Sequence, residues 1–528
     1  MADPLLATLA LSLFALNSPA AQIPERVSVN SFGVEAGNWS SYPSISDDGR
    51  FVAFQSPDWT LVPQSYEEAW DVFVHDRQTG VTRQVSVSSL GVPGDNHSYD
   101  PAISGDGNFV AFYSFADNLI PGLPVHTKHV YVHDLRTGTT TLASVSTAGA
   151  AGNRFSWEPA ISHDGRFVAF ESWADTLVPG DTNAVADIFV RDMIAGTTEL
   201  ISVSSTGVQG NGGSSQAAIS ADGRFVSFTS TSNNLVAGDT NLMPDIFVHD
   251  RMTGSTTRVS VDSLGAQGNG ECMISGLSGD GSLVGFSSWS DNLVPGDVNG
   301  YEDVFVHDRA TGTTTRASEN ALGTGGNGGS MKPTFSRDGR LLSFQTTARN
   351  LVASYVDPGW NVFILDRQTG AMRHASVSAA GTPGNGSSYR AQMAGGGRHL
   401  VFASYAENLV RGDANGEEDV FVVHFGDAVV HLALEGACPD PIGLTIWNAT
   451  SGGAVGLLAG ATGGSFVKAA PPCQGVLLDI GRPTAMRLFH ADAQGRVQLL
   501  LPSNFGLCGA SAQAVDLATC TVSGALTL

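Results

Sequence analysis

Basic residues are scarce in this sequence. Lys and Arg number 27 against 50 Asp and Glu, a formal net charge of −23 over 528 residues. With no basic run anywhere, the chain has no footprint for nucleic acid or for an anionic membrane surface. Cysteine is almost missing: there are five, and four of them lie beyond residue 437, so most of the chain cannot be a disulfide scaffold. No segment carries a helical period. The helix formers give way to 63 Gly and abundant Ser and Thr, which points to β structure. Beyond residue 16 no apolar run approaches the roughly 18 residues that span a bilayer. The sequence also has no HExxH, GxSxG, GxxxxGK[ST] or CxxCH motif. "GTGGNG" at 323–328 satisfies GxGxxG but lies between β segments, where no strand-to-helix phosphate turn can form.

What is present is a repeat. Asp-Gly occurs at 48, 106, 164, 222, 280 and 338, and Gly396-Gly397 takes the seventh place. Phe73, Tyr131, Phe189, Phe247, Phe305, Phe363 and Phe421 keep the same 58-residue step, as do Phe54, Phe112, Phe170, Phe228, Phe286, Phe344 and Phe402. Each unit reads as four strands. "YPSIS" is a short first strand, and "DDG" is a tight turn in which Gly tolerates positive φ. "RFVAFQS" is an apolar run suited to a strand buried on both faces. "DVFVHD" is the third strand, "RQTG" a turn, and "VTRQVSVS" an alternating outer strand. With 42% hydrophobic residues, seven such units can bury a large core.

Four-stranded units repeated around a ring describe a β-propeller. The seventh unit has "RHLVFAS" and "DVFVVHF" but no outer strand after them. Val27-Ser28-Val29 stands 58 residues before Val85-Ser86-Val87, so residues 25–30 are expected to supply that strand and hide both sheet edges. The predicted organisation is all-β: a signal peptide at 1–21, a seven-bladed β-propeller at 25–425 closed by its N-terminal strand, and a small β-sandwich at 426–528. In the first segment, residues 5–16 form an apolar core and Ser18-Pro19-Ala20 supplies small residues for cleavage. Export to the periplasm, cell surface or medium of a bacterium follows from it.

The units, of the form "PAISxDGRFVAFxS…DIFVHDxxTG", resemble the TolB-like, WD-repeat-like propeller family. The resemblance covers about residues 25–425. It implies a propeller that is often periplasmic or secreted and often serves protein or glycan contacts. The chain departs from TolB in having seven units where TolB has six blades. Beyond residue 425, short strands separated by Gly and Pro turns resemble the small sandwich domains at the C-termini of bacterial surface and secreted proteins. Cys438, Cys473, Cys508 and Cys520 lie there, and in an exported module they predict two disulfides with three possible pairings. Spacing favours Cys438–Cys473 and Cys508–Cys520.

The loops joining strands two to three and those joining consecutive blades leave a propeller on one face. Both are long here, so binding residues are expected on that face. The first kind carries a recurring polar motif: Asp181, Asn183 and Asp187; Asp239, Asn241 and Asp245; Asp297, Asn299 and Asp303; Asp413, Asn415 and Asp419. Two carboxylates and an amide in a tight loop suit calcium and, with no Cys or His, do not suit zinc. The competing reading is a turn whose Asp and Asn side chains cap the backbone. The second kind carries Gly-Asn followed by Ser156, Ser214, Cys272, Ser330 and Ser388, so Cys272 is expected as a small buried substitute. His75, His133, His249 and His307 share one repeat position and read as structural. His97, His126 and His129 break the repeat in blade two and are the candidates for a metal or a general base. Trp39, Trp157, Trp289 and Trp360 lie in or near the long loops, placed to stack on sugar rings.

No catalytic constellation is legible. The expectation is an exported binding or scaffold protein that holds an extracellular glycan or protein on its loop-rich face, with calcium stiffening several loops. The alternative is a polysaccharide lyase or hydrolase with its site at the channel mouth, where unique residues from different blades would converge.

Overall fold

The computed structural model describes residues 22–63, 69–123, 127–353 and 358–425, together with the strands of a C-terminal unit between 431 and 527. The chain divides into two compact units, one of them Gln22–His424. Among the described residues no helix forms, and none is long and apolar enough to cross a membrane.

The first unit is a ring of seven four-stranded antiparallel blades. Blade one runs Ser41–Ile45, Phe51–Ser56, Asp71–Asp76 and Val81–Gln84, and the next five repeat it. Strand two is covered on both sides, with every residue after Phe51 buried, as its unbroken apolar run requires. The recurring aromatics of strands two and three stand directly opposite each other, Phe54 on Phe73 and Phe228 on Phe247. Their rings stack at 5.9 and 5.8 Å. The core lies between blades: Val72 and Val74 of blade one pack with Phe112 and Tyr131 of blade two.

The Asp-Gly turn has a local cause. Asp48 accepts the Ser46 hydroxyl and the Arg50 amide at 2.6 and 2.9 Å, and Gly49 takes φ +75°. Arg50 then makes two bonds to Asp76 at 2.9 and 2.8 Å, tying strand two to the end of strand three. Each pair of neighbouring turns is joined by a backbone bond, from Asp47 N–H to Gly105 O through to Gly396 N–H back to Asp47 O. Seven such bonds, each 2.8–3.0 Å, close the ring at this end of the channel.

Blade seven takes its outer strand from the N-terminus, as expected, but from Ile23–Arg26, which pairs with Asp419–His424. This lies earlier than 25–30, and the other outer strands also end sooner than "VTRQVSVS" suggests. Val85 and Ser86 both donate to Val72 O, which bends the chain out of the ladder. The following residues form a hairpin bridged at Val87 and Pro93. That hairpin covers the next blade's edge: Thr140 N–H donates to Ser89 at 3.0 Å and Thr140 Oγ1 to Val87 O. Edge strands are thereby masked without closing them into a barrel.

In the C-terminal unit a three-stranded sheet (His431–Glu435, Ile442–Trp447, Val497–Leu501) accompanies a four-stranded one built on Ala454–Gly460. Cys438, Cys473, Cys508 and Cys520, the segment 1–21 and His126 lie outside the described residues.

Candidate functional site

The inner strands of all seven blades line the channel, and each carries a β-bulge. The register skips two residues in most blades, between Ser41 and Ser44, Tyr99 and Ala102, and Trp157 and Ala160. One of the skipped residues adopts positive φ: Tyr42, Asp100, Glu158, Gln216, Lys332 and Arg390, between +46° and +56°. None is glycine, so each costs roughly 1–2 kcal/mol of backbone strain. The next residue is Pro43, Pro101, Pro159 or Pro333 in four blades; proline sacrifices no ladder bond at an unpaired bulge position. The strained amide is satisfied from the preceding blade. Gln55 accepts the Asp100 N–H and Gln345 the Arg390 N–H, both at 2.8 Å.

These six residues line a cavity of about 450 Å³ in the channel. At its other end three side chains meet across the axis: Asp47 of blade one contacts Arg337 of blade six and, at 3.0 Å, His163 of blade three. Gly105, Gly279 and Gly395 make room for them, since a Cβ there would strike His163, Arg337 and Asp47. The cavity is therefore a well opening toward the loop-rich face.

Every blade contributes a different group to it. Carboxylates come from blades two and three, cations from blades six and seven, a phenol from blade one. Arg390 lies 3.5 Å from the centre of the Tyr42 ring and donates to Ser41 at 2.6 Å. Burial, with the Glu158 charge second, pushes Asp100 up to about 7. Burial also raises Glu158 and lowers Lys332. Behind this wall Glu171 is pushed up to about 8, chiefly by burial and then by Glu158.

An aromatic arc borders the mouth on blades seven to three. Trp39, Trp70, Tyr99 and Tyr113 follow one another at ring separations of 5.5–6.4 Å. The Lys128 ammonium stands among Tyr113, Phe115, Phe155 and Trp157 at 4.8–5.6 Å. Trp39, Trp59, Phe155 and Trp173 keep 42–50% of their surface exposed. In the column of Phe115 and Trp173, blades four and six have Thr231 and Thr347, while blade five carries Trp289, exposed outside the arc.

The Asp/Asn/Asp loops do bring their side chains together. In blade three, Gln209 Nε2 donates to both Asp181 and Asp187, at 2.8 and 2.9 Å. Asn183 gives its Nδ2 to Asp187 at 2.7 Å and accepts the Val185 N–H. Blade four repeats this with Gln267 on Asp239 and Asp245, and adds Arg258 at 3.6 and 3.5 Å; Asn241 donates to Gly268 O. In blade five Arg316 lies 3.3 Å from Asp297 and 3.8 Å from Asp303, with Asn299 on Asp303. In blade seven Arg26 faces Asp413 and Asp419 at 3.4 and 3.5 Å, and Asn415 also reaches Asp419. Blade three alone has Leu200 in place of the arginine, so its two carboxylates, both raised by burial, face a neutral amide. Glu35, Asp413 and Asp419 form the one group of three metal-ligating side chains among the described residues, and Arg26 lies on it.

The four repeat histidines are held by one recurring hydrogen bond. His75 Nδ1 meets Thr82 Oγ1 at 2.9 Å; the threonine hydroxyl already donates to Val29 O, so the ring must be the donor. His133, His249 and His307 repeat the bond. His129 stands where other blades have Asp and meets Ser144 as Asp187 meets Ser202; burial lowers it to about 4. His97 accepts the Trp70 N–H at 3.0 Å. Cys272 is buried 3.1 Å from Ser288, standing in for the Ser–Ser pairs of other blades, and burial lifts its thiol to about 12.

Sequence reasoning missed the ring of the well. Its trace is a single column in the 58-residue register, the residue before "PAIS" in blades two and three, which is acidic there and basic in blades six and seven.

With its repeat motif distributed over four strands in each of seven blades, the chain folds as a seven-bladed β-propeller. No family model matches it, and no curated protein matches it. Among solved structures it is similar to TolB from Acinetobacter baumannii, with 17% identity, 69% of this chain and 78% of that one covered, and a TM-score of 0.34. It is also similar to the uncomplexed acylaminoacyl peptidase from Pyrococcus horikoshii, with 11% identity, coverage of 79% of this chain and 59% of that one, and a TM-score of 0.44.

Proposed function

We propose that the protein is an exported scaffold that binds an extracellular glycan on its loop-rich face. The observation that carries this reading is the aromatic arc. Exposed flat rings on a rigid frame offer apolar area at low entropic cost, and sugar rings present a matching apolar face. Affinity electrophoresis against a panel of neutral and acidic polysaccharides tests it. At least one should retard the protein, and Trp39→Ala or Trp173→Ala should weaken that retardation about tenfold or more, given the 1.4 kcal/mol or so that one stacked ring supplies. No retardation by any of them overturns the glycan reading and leaves a protein ligand on the same face.

Calcium belongs to this proposal as a loop stiffener. Blade three is its best seat, because Asp181 and Asp187 there have no guanidinium between them and a cation would replace only the Gln209 amide. Asn183 would have to turn its oxygen inward. Calorimetric titration should then give a site that Asp181→Ala removes, with a melting point lowered by chelator. A silent titration sinks it.

A polysaccharide lyase or hydrolase at the channel mouth is the second reading. Two carboxylates with raised pKa beside Tyr42, Lys332 and Arg390 favour it, since such groups serve as acid and base. Release of unsaturated or reducing ends, abolished by Glu158→Gln, would establish turnover.

A further inference from the structure

The well carries four charges with no opposite charge in contact: Asp100 and Glu158 reach Lys332 and Arg390 only across the cavity. Asp100 and Glu158 stand on blades two and three, Lys332 and Arg390 on blades six and seven, so the two signs occupy opposite walls of the ring. Among the described residues none of the four makes a direct ion pair; Arg390 bonds the Ser41 hydroxyl, which in turn donates to Glu418 and links the guanidinium to that carboxylate only at one remove. Partly buried charges are normally paired. Here each is held on a strained backbone that aims it into the cavity, and strain of this kind clusters at ligand clamps. The four formal charges cancel. A simple anion in the well would meet two carboxylates, and a simple cation would meet a lysine and an arginine. Only a ligand carrying both signs satisfies all four.

We infer that the channel well is a binding site for a small dipolar ion bearing an ammonium and a carboxylate, of about dipeptide size. The ammonium turns to Asp100 and Glu158, the carboxylate to Lys332 and Arg390. The cavity of about 450 Å³ falls in the range of small-ligand pockets, roughly 300–1,000 Å³. Tyr42, with the Arg390 guanidinium over its ring, fixes the cation that receives the carboxylate. This site is separate from the aromatic arc and rests on none of its rings, so either can fail alone.

The test is calorimetry on the full chain at pH 7.5 with three probes: the dipeptide Ala-Ala, its N-acetyl form and its C-terminal amide. Ala-Ala should bind at one site per chain, and each blocked form, having lost one charge, should bind at least tenfold more weakly. Asp100→Asn and Lys332→Gln should each weaken Ala-Ala by a similar factor. Asn tolerates positive φ, so Asp100→Asn keeps the bulge, and unchanged melting curves would show that the blades are intact. Failure of Ala-Ala to bind, or equal binding of the three probes, overturns the inference. So does unchanged affinity in both variants.

Discussion

The two ends of the channel are written on the same 58-residue register and use it in opposite ways. At the closed end the register repeats a backbone feature: an Asp-Gly turn whose amide or its neighbour's bonds to the next blade, seven times round. Side chains there are mostly trimmed to glycine or alanine, and the three that remain cross the axis. At the open end the register repeats a distortion, the bulge, and hangs a different side chain on it in each blade. Uniform backbone and variable side chain divide the labour: the first holds the ring, the second can discriminate a ligand. Fold and site thus lie on different columns of one repeat.

That division is most severely tested where the blades meet. Phe228→Ala removes a fully buried ring stacked on Phe247 and should cost about 3–5 kcal/mol, read as a large drop in the denaturation midpoint. Gly396→Ala attacks the closed end itself. A Cβ there would stand 2.5 Å from Asp47 O, and the lost closing bond with its orphaned acceptor should cost about 1–3 kcal/mol. Equal and mild effects from both would mean that the closing ring contributes as little as a surface contact.

The same comparison explains what could be read in advance. A period of 58 makes each position report its environment seven times, so Phe54 with Phe73 and the Asp-Gly turn were legible, and with them the blades and the N-terminal closure. The outer strand was misjudged because the alternation of "VTRQVSVS" runs on through the bend at Val85 and Ser86, and a period of two does not register a bend. His97 and His129 drew notice by breaking the repeat; each makes a hydrogen bond that another residue makes in another unit. The well escaped because a bulge is invisible in sequence. Plain alternation puts Tyr42 and Ser44 on one face, and only the skipped register turns Tyr42, Asp100 and Lys332 inward.

The open end should also show in the pH dependence of stability. Glu171, at about 8, and Asp100, at about 7, hold their protons more tightly folded than unfolded. Glu158, Arg390, Lys332 and Lys128 are the charges facing Asp100; Glu158, Trp157 and Gln216 face Glu171. Between the unfolded carboxylate range and pH 8 these two groups bind more protons in the folded state, so their contribution to stability falls as pH rises. His129, His133 and His374, each lowered to about 4 by burial, contribute in the opposite sense on the acid side of the window. Asp76 and Asp250, held low by Arg50 and Arg224, titrate below this window and leave it unchanged. Glu171→Gln should therefore gain melting temperature over the unsubstituted protein, by several degrees more at pH 8 than at pH 5. An equal difference at both pH values would mean that Glu171 is better hydrated than its burial indicates.

The smallest effect is the most telling, because its sign opposes the usual one. Lys332 combines positive φ with an ammonium that burial disfavours and that Asp100 and Glu158 favour only from across the well. Lys332→Asn removes the buried charge and places at the bulge a residue that tolerates the left-handed region. The protein should become more stable, by about 0.5–1 kcal/mol, while Ala-Ala binding falls at least tenfold. At the closed end no polar substitution is expected to raise stability. Strain and uncompensated charge that persist at one end of a channel, when a single substitution would relieve them, are what a ligand site leaves behind. If Lys332→Asn instead destabilises the fold, the lysine is a structural member of the inner strand and the two ends do not differ in kind.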